Sequence, residues 1–278
     1  MSDGAENDAT GIDVKSFEAM DASKELQAYI NILDVFDGLS GIQALKKAAI
    51  ARCQIREGMS ILDAGCGTGL ETVRLARLVG SSGNVIGLDA SRNLLAEASR
   101  RAQGSRLPIE YREGDIHQLP FPDNYFDVAR AERLFLYLTD PRQALAELVR
   151  VTKSDGSVYV IEPDFETQTI NLSDRGLVRK VLQFDCDHET RNGWIGRELP
   201  QLFKVCGLVD TDVETGVVIY EPRSFSPYFL ETAHSAFQNG VITADELQVW
   251  QDDIHSLLNR AELFCTISYF AVVGRLQN

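Results

Sequence analysis

The sequence predicts an α/β fold, a mostly parallel seven-stranded sheet with helices on both faces. Three observations carry this. From residue 59 onward short apolar runs alternate with amphipathic stretches, a glycine-rich turn (Gly65, Gly67, Gly69) follows the first run, and the second run ends on an acid, Asp89. The 278 residues suffice for one large domain, or for a core of roughly 200 residues with insertions. With 44% hydrophobic and 24% charged residues, there is enough apolar surface to offset the conformational entropy of folding.

Residues 1–12 form a polar, acidic terminus that is expected to fray. From Asp21 to Cys53, the residues Leu26, Tyr29, Ile30, Leu33 and Phe36 recur at steps of three and four, which predicts two helices interrupted around Gly38 and Gly41. Strands follow at 59–64, 84–89, 109–113, 126–131 and 157–162, with helices at 71–78, 92–103 and 142–151. The pattern loosens over 163–193 apart from a helical stretch at 175–184, and a clear helix at 194–205 stops at Gly207. Residues 209–220 read as a strand with a bulge at Gly216, residues 224–263 as helical, and 265–276 as a closing antiparallel strand.

The formal charge of −14, from 41 acidic and 27 basic side chains, gives a polyanion a repulsive average field and argues against nucleic acid or an anionic membrane as partner. The basic pairs Lys46 and Lys47, Arg100 and Arg101, and Arg179 and Lys180 read as solvated helix faces. Cys53, Cys66, Cys186, Cys206 and Cys265 are odd in number and widely spaced, which favours a reducing compartment over a disulfide framework or a zinc cage. Without a signal-peptide pattern or an apolar run near the ~18 residues of a membrane span, the expected location is the cytoplasm. No metal is expected, since Cys186, His188 and Glu189 are too close in sequence to converge on one ion. Nothing in the sequence sets the oligomeric state.

The sharpest feature is the stretch ILDAGCGTGL at 61–70, a strand, a glycine turn and a helix start. Gly65 and Gly67 permit a tight turn and close approach of a ligand to the backbone, and the helix offers free N–H groups and a positive dipole end to an anionic group, carboxylate or phosphate alike. Asp89 closes the second strand 20 positions beyond Gly69, where a carboxylate accepts hydrogen bonds from ribose hydroxyls. A nicotinamide enzyme would show G-x-G-x-x-G, whereas here the third glycine falls one position earlier, and no G-x-x-x-x-G-K-[ST] occurs anywhere.

The stretch DAGCGTG at 63–69 resembles the first motif of class I S-adenosylmethionine (SAM)-dependent methyltransferases, within them the methyltransferase type 11 group, similar to ubiquinone/menaquinone C-methyltransferases. GDI at 114–116, LPFPDN at 119–124, YFDV at 125–128 and LVRV at 148–151 extend the resemblance over about 55–165. It implies a Rossmann-like sheet and S-adenosyl-L-methionine as cofactor. It further implies that the backbone around Gly65 and Gly67 holds the methionine portion and that Asp89 takes the ribose. Ala90 and Ile116 would flank the adenine, Asp115 would bind its exocyclic amine, and Ala131 would contact the amino-acid end. The segment ERLFLY at 132–137 departs from the family pattern, with a charged pair and Tyr137 in place of small polar residues and a histidine. It also lacks the Asn/Asp-Pro-Pro-aromatic motif of the branch that methylates amines in nucleic acids.

The expected activity is methyl transfer to oxygen, carbon or nitrogen of a small apolar or aromatic metabolite, in secondary metabolism. The sulfonium already activates the methyl group, so alignment and exclusion of water are the main requirements, with a proton acceptor as an aid. Glu132, Tyr137, Asp164 and His188 are the candidate acceptors by position. The alternative is a SAM-fold protein that binds the cofactor without methyl transfer, in a cyclase-like or binding role. Residues 1–54 are expected to form a helical cap, and 55–278 the cofactor-binding domain with substrate-side insertions at about 163–194 and 224–263. Aromatic residues such as Phe17, Tyr29, Phe165, Trp194 and Phe225 in these segments suit an apolar pocket.

Overall fold

Ile61, Leu62, Val85, Ile86, Val128 and Ala129 are all at most 1% exposed, because the central strands are covered on both faces. The computed structural model describes residues 26–277. The polar terminus at 1–12, Phe17 and the Asp21 start of the first helix lie outside the described residues. The described chain opens with helices α1 (Leu26–Gly38) and α2 (Ser40–Arg52), then alternates β1 (Ser60–Ala64), α3 (Leu70–Val79), β2 (Asn84–Asp89), α4 (Arg92–Ala102), β3 (Ile109–Glu113) and β4 (Phe126–Glu132). After α5 (Pro141–Val151) come β5 (Thr152–Ile170), α6 (Arg175–Phe184), a π-helical turn (Asp185–Glu189), α7 (Ile195–Val205), β6 (Val209–Ile219), α8 (Pro222–Gln238), α9 (Ala244–Asn259) and β7 (Cys265–Arg275).

The strands form one seven-stranded sheet in the order β3-β2-β1-β4-β5-β7-β6. β1 to β5 pair in parallel, and β7 runs antiparallel to both β5 and β6. Strand alternation sends neighbouring residues to opposite layers: Val128 and Tyr159 pack with α2, α3, α8 and α9, whereas Ala129, Val158 and Val160 pack with α5 and α7. Helix starts are set locally. Ser91 Oγ accepts from Leu94 N at 3.1 Å, Asp140 caps α5 ahead of Pro141, and Thr243 with Glu246 forms a capping box on α9.

Three expectations are corrected. The fifth strand runs on to Ile170 rather than ending at Glu162, because β7 keeps pairing to Ile170 opposite Cys265 after β4 has ended opposite Ile161. Pro163 is tolerated where the strand has a neighbour on one side only. The bulge in β6 falls between Val209 and Asp212, with Asp210 at φ +46°, while Gly216 pairs in register with Tyr269. Gly216 instead lets α2 lie close, its missing Cβ pointing to Leu45 at 3.6 Å. Lys46 is not on a solvated face, being 4% exposed. Among the described residues no helix is long and apolar enough to cross a membrane.

Candidate active site

A cavity of about 400 Å³ opens at the C-terminal ends of β1, β2 and β4, the edge where parallel α/β sheets bind ligands. Its floor is the glycine turn, with Gly65 at φ +69° and Gly67 at φ +51°, left-handed values that favour glycine. A Cβ on Gly65 would lie 2.8 Å from Leu134 Cδ2, so bulk there would push the wall into the cavity. Asp89 braces the turn: its Oδ2 accepts from Gly67 N at 2.8 Å and its Oδ1 from Ser91 N at 2.9 Å.

Gly65, Gly67, Asp89, Ala90, Asp115, Ile116, Glu132 and Tyr137 all line this cavity. Asp115 caps a 3₁₀ turn (Ile116–Gln118), its Oδ1 accepting from His117 N at 2.9 Å. Ala131 lies at the same strand end, but its side chain is fully buried and does not line the cavity. Asp164 is bound in a two-pronged ion pair with Arg197, Oδ1 at 2.9 Å from Nη2 and Oδ2 close to Nε, and is not among the lining residues. His188 sits in the π-helical turn, stacked on Phe184 at 5.2 Å, likewise outside the cavity wall.

One wall is a buried ionic network. Arg130, 2% exposed, donates from Nη1 to Asp63 Oδ1 and from Nη2 to Glu132 Oε2, both at 2.6 Å. Lys46 Nζ reaches Asp37 Oδ1 at 2.7 Å, Glu132 Oε2 at 3.1 Å and Glu71 Oε2 at 3.2 Å, and Arg74 joins through Asp37 and Glu71. Burial alone would raise the Glu132 carboxyl, but Lys46, Arg130 and Arg133 around it pull it down to about 2, so it is a fixed anion. Buried charges persist only when paired in this way. Glu71 Oε1 and Glu132 Oε1 are nevertheless buried without a hydrogen bond.

The segment after β4 is held from below by Glu162. Its Oε1 accepts from Leu134 N and Phe135 N, each at 2.8 Å, and so fixes a 3₁₀ turn (Phe135–Tyr137) that carries Tyr137 into the cavity. Burial pushes the Glu162 carboxyl up to about 8 despite these N–H donors. Asn192 straps the same segment from the substrate-side loop, donating from Nδ2 to Phe135 O and Leu138 O at 2.8 Å. Burial also pushes the Tyr137 phenol up to about 12, so it is a neutral hydrogen-bonding group at physiological pH.

Lys46, Arg130, Glu71, Asp37 and Glu162 were missed by sequence reasoning. Arg130 had a readable signal, an arginine between two alanines in a strand of the sheet core, which must find carboxylates. Lys46 had none, since Lys47 beside it on the same helix is exposed and the sequence does not distinguish the two.

A family described as "Methyltransferase domain" matches residues 62–160, the stretch from β1 to β5 that carries the glycine turn, Asp89 and Asp115. The chain is 31% identical to an uncharacterised 37.1 kDa protein from a transposon of Streptomyces fradiae over 250 residues, covering 88% of this chain and 71% of that protein. It is 31% identical to the demethylmenaquinone methyltransferase of Desulfitobacterium hafniense over 182 residues, covering 60% of this chain and 72% of that enzyme. In fold alone it is similar to phosphoethanolamine N-methyltransferase 2 of Haemonchus contortus, solved with S-adenosyl-L-methionine, with a TM-score of 0.60 at 19% identity over 95% of this chain and 61% of that one. The chain therefore belongs to the class I S-adenosylmethionine-dependent methyltransferases, in the methyltransferase type 11 group, and is an enzyme that transfers a methyl group from that cofactor to a small molecule.

Proposed function

We propose that the protein methylates a quinone-like aromatic metabolite, with the cofactor lying across the cavity from the strand β2 end to the strand β4 end. The carrying observation is a cavity that joins the left-handed glycine turn to the Asp89 carboxylate. Asp89 takes the ribose hydroxyls, Ala90 and Ile116 flank the adenine, and Asp115 Oδ2 is left over from the His117 contacts for the adenine amine. The methionine portion rests on Gly65 and Gly67.

The residues present fit this cofactor. Glu71 Oε1 and Glu132 Oε1, buried and lacking hydrogen bonds, are acceptors of the kind an ammonium group requires. Lys46 and Arg130 beside them supply positive charge for a carboxylate. When bound, the cofactor supplies a sulfonium-activated methyl group. The chain's own part is to align the acceptor and exclude water. Glu132, clamped as an anion by three cations, is poorly placed to take a proton, and Asp164, paired with Arg197, lies outside the cavity. Tyr137, neutral and on the cavity wall, orients the acceptor by hydrogen bonding.

The similarity to a demethylmenaquinone methyltransferase supports a quinone-like acceptor. Five free cysteines suit a reducing compartment, and we place the enzyme in the cytoplasm. Incubation with methyl-labelled SAM and a panel of quinols, phenols and amines tests the reading. Label in a quinol or phenol is expected; tight cofactor binding with no label in any acceptor would favour a binding-only role instead.

A further inference from the structure

Arg133 stands at the edge of the ionic network on the cavity wall, joined to it, among the described residues, through Glu132. It follows β4 at φ +48°, a left-handed value uncommon outside glycine, and its N–H donates to Ile161 O at 2.9 Å, which fixes where its side chain leaves the backbone. Arg130 holds a carboxylate with each terminal nitrogen, whereas the guanidinium of Arg133 makes no hydrogen bond among the described residues. Its nearest acid oxygen, Glu132 Oε1, is 3.5 Å from Nε. The side chain is only 16% exposed. Its Nε is buried without a hydrogen bond, and a buried donor left unsatisfied is costly.

Arg133 lies between Glu132 and an aromatic wall. Its guanidinium lies 4.4 Å over the ring of Phe36, and Phe36 in turn packs edge-on to Phe225 at 4.9 Å and to Tyr220 at 6.0 Å. Those contacts tie it to α1, the end of β6 and the start of α8, the helical side of the cavity. Lys46 and Arg130 share Glu132 with it but also engage Glu71 and Asp63, next to the glycine turn. Tyr29 and Tyr137 line the same cavity as Arg133, and burial keeps both phenols protonated, so they are donors.

We propose that Arg133, assisted by the hydroxyls of Tyr29 and Tyr137, binds the anionic oxygen of the methyl acceptor, and that the acceptors are acidic phenols or enols rather than amines. This deepens the methyltransferase reading and rests on it. The acceptor hydroxyl gives its proton to solvent, and the resulting anion is held by the guanidinium. The electron pair of that anion, on oxygen or on the conjugated ring carbon, forms the new bond to the methyl carbon while the S–C bonding pair stays on sulfur. A carbon acceptor then loses its ring proton to solvent. Amines, which need no such anion, gain nothing from a cation at this place.

The test uses the full chain saturated with S-adenosylhomocysteine, which cannot methylate, and 4-nitrophenol, whose anion absorbs in the visible. Bound 4-nitrophenol should ionise at least about one pH unit lower than free reporter, the shift expected from an adjacent cation. The shift should vanish in Arg133→Met and survive in part in Arg133→Lys. Calorimetry of Arg133→Met should give S-adenosylhomocysteine affinity within about threefold of the original, which also certifies that the variant is folded. If Arg133→Met fails to fold, Arg133→Gln takes its place, with the shift expected to vanish and an equal shift overturning the proposal. No shift in the unaltered chain, an equal shift in Arg133→Met, or a tenfold loss of S-adenosylhomocysteine affinity in that variant overturns the proposal. Failure of the unaltered chain to bind S-adenosylhomocysteine would remove the cofactor reading and this inference together.

Discussion

Replacing Glu162 by glutamine tests whether the loop that shapes the cavity stands on an uncharged carboxyl. In the fold Glu162 is fully buried, offers Oε1 to two backbone N–H groups at 2.8 Å, and leaves Oε2 without a hydrogen bond. Burial raises its pKa from 4.5 to about 8. Because the folded value lies above the unfolded one, the folded chain holds its proton more tightly. The stability this contributes is fully present below about pH 4.5 and is lost as pH rises through about 8. At about 1.4 kcal/mol per pH unit, the whole interval corresponds to on the order of 5 kcal/mol. Glutamine mimics the protonated acid and keeps the acceptor but cannot ionise. Urea unfolding followed by circular dichroism from pH 5 to pH 9 should show the original losing ground steadily to Glu162→Gln, by several kcal/mol overall and levelling off above about pH 8. Comparing the two chains cancels the titration of every other group. Parallel curves would mean that Glu162 ionises like an exposed carboxylate and that the stated environment is wrong.

Lys46→Met should cost about 3–5 kcal/mol by leaving Glu71 and Glu132 without their shared cation. Glu132 owes its low pKa of about 2 in part to that cation, so the deficit should be full above about pH 4.5 and shrink as pH falls toward 2, as chemical unfolding would show. Gly69→Ala should destabilise by roughly 2–5 kcal/mol, since it puts an L-residue at φ +76° and a methyl 2.9 Å from Ala98 Cβ; thermal melts would show it. Asp164→Asn should lower the melting temperature through its lost pair with Arg197 yet leave the cofactor dissociation constant within about threefold, because Asp164 is outside the cavity.

The parts legible in the sequence were those decided by local chemistry. β2, β3 and α6 begin and end where apolar periodicity and punctuation by Gly, Pro or Asp change within one or two residues. The glycine turn and Asp89 were legible because left-handed backbone and a strand-ending acid leave marks at fixed spacing, and both are on the cavity wall. What stayed hidden depends on partners far away in sequence. Lys46 meets Glu132 across 86 positions, Glu162 supports a turn 28 positions earlier, and β5 continues past Pro163 only because β7 lies beside it. Asp164 was a reasonable candidate by position, but whether an acid at a strand end faces the cavity or Arg197 depends on where α7 packs.

Calorimetric titration of the full chain with S-adenosylhomocysteine, alongside Asp89→Asn, tests the central claim most directly. One-to-one binding is expected, weakened at least about tenfold in the variant by loss of a charge-assisted acceptor for the ribose. Binding of equal strength in both would contradict the placement of the cofactor on Asp89, and no binding to the unaltered chain would contradict the cavity as its site.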